Sequence, residues 1–135
     1  MQKKFVNELD NVVPEMLHGF SLLHNDSIKV IGPNRNIVIR SDIEQIINSQ
    51  SLQCTLISGG GSGHSPAHEG YVGKGMLTAA VCGKVFASPS VHDILFAIRA
   101  CTTTKSASAV VACLLIVKNY TGDFINFTLA MKMAR

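Results

Sequence analysis

Residues Val110 to Val117 are eight consecutive apolar residues. A run of that kind is expected of a β-strand covered on both faces, as in a parallel sheet. A second apolar run, Cys54-Thr55-Leu56-Ile57, leads directly into Gly59-Gly60-Gly61-Ser62-Gly63-His64. Between the two lies a helical face made by Val91, Ile94, Leu95 and Ile98, with Ser88-Pro89 as cap and first helical residue. Strand, helix, strand, helix implies an α/β domain with a parallel-rich sheet flanked by helices. Thr55–Ser58 and Val110–Val117 are the expected interior strands.

The rest of the chain fits that plan. Phe5, Leu9, Val12, Val13, Met16, Leu17 and Phe20 follow helical spacing, with Pro14 either kinking the helix or starting its second half. Ile28–Ile31 and Asn36–Ile39 read as short strands around the turn Gly32-Pro33-Asn34. Ser41 with Glu44 forms a capping-box pattern before a helix through Ile47. Leu77–Cys82 is another apolar run, residues 102–108 a small polar connector, and Phe124–Ala134 a helix. Nothing marks a helix stop at Arg135, so the chain is expected to be a fragment.

Composition limits the function classes. With 135 residues the chain is one domain or part of one. Apolar content of 47% supports a core, and a net charge of +3 without basic clusters gives no reason to expect nucleic acid. No apolar run has the length of a membrane span. Cys54, Cys82, Cys101 and Cys113 lack metal-type spacing and read as reduced thiols, which makes the cytoplasm the expected setting.

The glycine-rich stretch is the main chemical signal. It fits neither common nucleotide motif: Pro66 and His64 stand where a dinucleotide fingerprint needs glycine, and Met76 where a P-loop needs lysine. Taken alone it is either a tight strand-to-helix turn or a ligand loop, in which Ser62 and backbone N–H groups would bind hydroxyls or carbonyls. His64 is either a surface residue or a site residue, the second because open α/β sheets bind ligands beyond the carboxyl ends of strands. Lys118 is either a solvated strand tip or a ligand contact, and Asp123 either caps a helix or acts as a base. His68 forms an i, i+4 pair with His64, but no third metal ligand accompanies them.

These residues resemble the dihydroxyacetone kinase family, in the amino-terminal part of its ketose-binding domain. The resemblance rests on Gly59 to His64, Pro66-Ala67-His68, Gly70 to Thr78, Phe86-Ala87-Ser88-Pro89, Leu114 to Asp123, and Asn126-Phe127. Asp10 to Val13 and Arg40-Ser41-Asp42 also look like the family, so the resemblance covers nearly the whole chain. Ser41-Asp42-Ile43 and Asp93 to Ala100 look most like its animal members of the triokinase/FMN cyclase type. The resemblance implies that residues 1–135 are an incomplete ketose-binding domain from which the nucleotide-binding domain is absent. It implies ATP-dependent phosphorylation of dihydroxyacetone or D-glyceraldehyde, with ATP and Mg2+ bound outside this chain and a homodimer in the full-length protein. Gly61, Ser62, Gly63, His64, Lys118 and Asp123 match the family's substrate contacts. Asp123 matches its base and His64 the histidine that hydrogen-bonds the substrate. Ser65 stands where the family has glutamate. The family's covalent ketose anchor, a second histidine, lies beyond Arg135. The other readings are a non-catalytic truncated member acting through a partner, and a phosphotransferase-dependent relay subunit.

Overall fold

The computed structural model describes residues 5–49, 53–104 and 111–135. Five strands form one mixed sheet: β1 (Ile28–Ile31), β2 (Ile37–Arg40), β3 (Gln53–Ser62), β4 (Ala79–Val85) and β5 (Val111–Ile116), in the order β1-β2-β4-β3-β5. β4, β3 and β5 are mutually parallel neighbours, while the β1–β2 hairpin joins β4 antiparallel. The helices are α1 (Val12–Leu23), α2 (Ile43–Ile47), α3 (Val91–Thr102) and α4 (Thr121–Ala134). The expected α/β class therefore holds, with the parallel part confined to three strands.

Strand alternation divides the core in two. Ile37 and Ile39 of β2, Ile57 of β3 and Ala79 and Val81 of β4 pack against Ile43, Ile94, Ile98 and Phe127 from α2, α3 and α4. Val38 and Cys82 face the other way, onto Val13 and Leu17 of α1. Each fully buried large apolar side chain contributes about 1.5–3 kcal/mol relative to exposure.

The predicted interior strand at Val110–Val117 is corrected by the structure. Val110 lies outside the described residues, as does most of the 102–108 connector. Val111–Ile116 is β5, and among the described residues it pairs with β3 alone, at the sheet edge. Its residues alternate between half-buried and exposed, and Leu114 and Ile116 are 53% and 49% exposed. Cys113 and Leu115 lean on the α3/α4 core, whereas α1 covers only the β1/β4 half of the opposite face. An uninterrupted apolar run records a need for cover on both sides, and these residues supply cover on one. Thr55–Ser58 does lie inside the sheet, between β4 and β5.

Four local expectations also shift. Phe5 and Leu9 are exposed and precede α1, and Pro14 sits in its first turn, where its missing N–H costs nothing. Ser41 does not cap α2: its hydroxyl donates to the Asp26 carbonyl, and Asp42 at the cap position is held by Arg40 at 2.6 Å. The α3 cap is Ser90 rather than Ser88, its Oγ accepting from the Asp93 N–H at 3.1 Å and donating to Asp93 Oδ2 at 2.7 Å. Finally, Gly59–Gly61 is not loop but the last part of β3, paired with Val81, Cys82 and Gly83 of β4.

Candidate functional site

The glycines are required by what lies on each side of β3. A side chain at Gly59 would run into the Val81 carbonyl and lie 3.1 Å from the Phe127 ring, on the face of the buried core. Gly60 faces the other way. A Cβ there would stand 2.6 Å from Lys118 Cε, 2.9 Å from its Nζ and 3.3 Å from His68 Cε1. Register explains Lys118: Ser58 pairs with Ile116, so the residue two beyond Ile116 arrives beside Gly60. Lys118 and His68 thus converge over the strand where it has no side chain.

Beyond Gly60 the segment after β4 crosses over β3. The Ala87 N would be 2.7 Å from a Gly61 Cβ, and the Phe86 ring 2.9 Å from a Gly63 Cβ. Gly63 has φ +113°, an angle that favours glycine. The Ser62 hydroxyl is buried and donates to the Gly83 carbonyl at 2.7 Å, so it ties β3 to β4 instead of offering a donor to a ligand. His64 is exposed, its ring 5.3 Å from that of Phe86 at 82°. Ser65 donates to Glu69 Oε1 at 2.6 Å.

Asp123 enters from the first turn of α4. It is 2% exposed, and its Oδ1 has no hydrogen-bond partner. The Tyr120 side chain makes no capping hydrogen bond to this helix. Lys118 Nζ lies 5.3 Å from the centre of the Tyr120 ring. Electrostatics join the group together. Burial lowers the pKa of His68 below the ordinary imidazole value, the Lys118 ammonium lowers it further, Glu69 and Asp123 oppose this, and His64 adds a small lowering. Four of the charged or titratable side chains near this strand end therefore act on one imidazole.

The structure brings His64, Lys118 and Asp123 around His68, with Gly61, Ser62 and Gly63 forming the end of the strand beside them. His68 and Phe86 are the two members that sequence reasoning did not place in the site. The sequence offers His68 only as a metal-ligand candidate, although its i, i+4 relation to His64 is consistent with a shared location. No spacing rule would have found Phe86, which reaches the glycines through a strand crossing. Because Gly63, His64 and Phe86 are exposed, the cluster forms an open shelf. Cavities of ≈ 390 and ≈ 300 Å³ lie elsewhere, the first beside His18 and Arg35, the second beside Lys29 and Arg99. Among the described residues no group of three or more His, Cys, Asp or Glu side chains is arranged to hold a metal ion, and no helix is long and apolar enough to cross a membrane.

The carboxyl end of the parallel strands thus gathers glycines, a lysine and a buried aspartate, and comparison with known proteins shows which family the chain belongs to. The Dak1 domain model matches residues 18–135, and the chain belongs to that family. It is 50% identical over 133 residues to a probable dihydroxyacetone kinase of Dictyostelium discoideum, covering 98% of this chain and 19% of the relative. It is 45% identical to the triokinase/FMN cyclase of Rattus norvegicus, covering 98% of this chain and 21% of that protein. The crystal structure of the native dihydroxyacetone kinase of C. freundii aligns with TM-score 0.81 at 45% identity, over 100% of this chain and 23% of that one. The same enzyme in complex with AMP-PNP and Mg2+ aligns with TM-score 0.79 at 43% identity, over 100% and 24%. The chain spans about a fifth of the length of these relatives.

Proposed function

We propose that residues 1–135 form the triose-binding part of an ATP-dependent dihydroxyacetone kinase, acting on a terminal hydroxyl of dihydroxyacetone or D-glyceraldehyde. The observation that carries this reading is the buried, unpartnered Asp123 Oδ1, close enough to act electrostatically on His68, which meets Lys118 at a glycine-bearing strand end, in a chain of the Dak1 family. A buried acceptor without a donor calls for one from outside, and a triose hydroxyl is a donor. Asp123 takes the hydroxyl proton as the oxygen attacks phosphorus, and His64 and Lys118 hold the substrate oxygens. Lys118 offers up to three N–H donors to a carbonyl or hydroxyl oxygen.

The residues present do not fit the nucleotide. They have neither a P-loop nor, among the described residues, an arrangement of metal ligands. We assign ATP and Mg2+ to protein outside residues 1–135; the C. freundii enzyme, of which this chain spans 24%, is one that takes AMP-PNP and Mg2+. A cytoplasmic setting suits the four free thiols, and a homodimer is the assembly proposed for the whole protein.

The test is a dihydroxyacetone titration followed by amide NMR, with a coupled ADP-release assay on the same sample. We expect shifts at Gly60–His64 and Lys118, their loss in Asp123→Ala and Lys118→Ala, and no turnover with ATP and Mg2+. Perturbation confined to residues far from β3 and α4 would overturn the site. Turnover above that of Asp123→Ala would overturn the placement of the nucleotide.

A further inference from the structure

Phe86 has an unusual place in the fold. It follows β4, stands 70% exposed, and holds φ +51°, a left-handed angle uncommon for a bulky residue. Neither exposure nor that angle benefits an aromatic side chain by itself. Three contacts account for them. The Phe86 N–H donates to the Ser62 carbonyl at 2.8 Å. Its Cα would stand 3.0 Å from a Cβ on Gly61. Its ring fills the space that a Gly63 side chain would take, with Cε1 and Cζ each 2.9 Å from that point. The residue is clamped onto the end of β3 by backbone and ring together.

The ring then meets His64. The two centroids are 5.3 Å apart at 82°, an edge-to-face pair. No described residue donates to or accepts from the His64 imidazole, which is otherwise exposed. Packing against Phe86 therefore restricts the imidazole without using either ring nitrogen in a hydrogen bond. Both nitrogens stay available to a ligand hydroxyl, one as donor and one as acceptor in the neutral form.

We propose that Phe86 is the positioning residue for His64: it packs edge-to-face on the imidazole and sets its orientation toward a substrate hydroxyl. The proposal rests on the reading of this strand end as a triose site. Phe86 has no group that exchanges a proton or hydrogen-bonds through its side chain, so its role here is exerted through His64. Replacing it leaves the charges of the site intact, so its effect separates from that of Asp123 or Lys118.

The experiment compares the wild-type chain with Phe86→Leu, Phe86→Tyr and Phe86→Ala. The imidazole carbon–hydrogen NMR signals are read with and without dihydroxyacetone, with His64→Gln to assign them. Loss of the ring current in Phe86→Leu should move the His64 signals and leave those of His18, His24 and His92 unchanged. Phe86→Tyr should keep the wild-type positions. Triose affinity should fall about 2- to 12-fold in Phe86→Leu, the span of one edge-to-face aromatic pair, and recover in Phe86→Tyr. Leucine keeps an apolar side chain, so this comparison stands even if Phe86→Ala fails to fold. Unmoved His64 signals in Phe86→Leu overturn the proposal whether or not triose binds. Moved signals with unchanged affinity also overturn it. If the wild-type chain shows no triose perturbation, the proposed function fails, and the ring signals alone decide whether Phe86 orients His64.

Discussion

Replacing Asp123 by asparagine should stabilise the fold while removing its ligand response. Two opposing effects set the size. Asp123 is the third residue of α4, where a carboxylate gains about 0.3–1 kcal/mol from the helix dipole. Against this, leaving a buried acceptor unpaired costs about 1–3 kcal/mol, more when it is charged. With Oδ1 buried and without a donor, the second effect exceeds the first. Asparagine keeps the shape; its amide oxygen still lacks a donor, but the larger cost of burying an ionised acceptor is removed. Unfolding free energy should rise by about 1 kcal/mol, which for a chain of this size raises the melting temperature by about 3–5 °C. Thermal and urea melts followed by far-ultraviolet circular dichroism measure it, provided the two agree on a two-state transition. A loss of more than about 1 kcal/mol would refute the reasoning, because it would make the carboxylate a structural part of α4. Stabilisation together with an unchanged dihydroxyacetone response would equally refute the site.

Two further outcomes follow from packing and charge. In Gly83→Ala the new methyl meets the Ala87 carbonyl and comes within 2.7 Å of Pro89 N, all of it main chain that cannot swing aside. The melt should show a loss near the top of the roughly 1–3 kcal/mol range for overpacking, against less than about 0.5 kcal/mol for Gly73→Ala, where nothing lies within 4 Å. His68 titrates below its ordinary value of 6.5 in the folded chain, chiefly through burial and then Lys118, so the unfolded chain binds its proton first. Its contribution to stability is complete above that value and is lost as pH falls through the folded pKa. His68→Asn should flatten that part of a pH series of urea melts, and an unchanged acid slope would rule the account out.

Much of this fold is written in local patterns. The hairpin turn, the buried faces of α1 and α3, and the strand at Thr55–Ser58 follow from periodicity and turn chemistry, which act over a few residues. What escaped are contacts between distant segments. The Gly59–Gly61 stretch looked like a loop because glycine disfavours strands, yet it is strand, since neighbouring chain passes too close for any Cβ. Ser41 and Ser88 looked like caps, but Asp26 and Ser90 settle those turns differently. At the strand end, Lys118 and Asp123 stand out in the sequence by their place after an apolar run and His64 by its place after the glycines, each with a solvated or capping alternative that position alone leaves open. Phe86 was not, because its approach depends on the crossing of one strand end by another.

The position of β5 has a consequence for the chain in solution. From Val111 to Val117 there is no charge, no proline and no bulge, and one long side of its backbone has no partner among the described residues. Sheet proteins usually guard such a border with a lysine or a kink, because an open row of N–H and C=O groups welcomes any extended peptide. Here the first charge, Lys118, comes only after the strand has ended, at the site. The same segment that delivers the ammonium is thus a sticky seam, and crowding of these chains before a neighbour covers it would favour co-aggregation through strand-to-strand pairing.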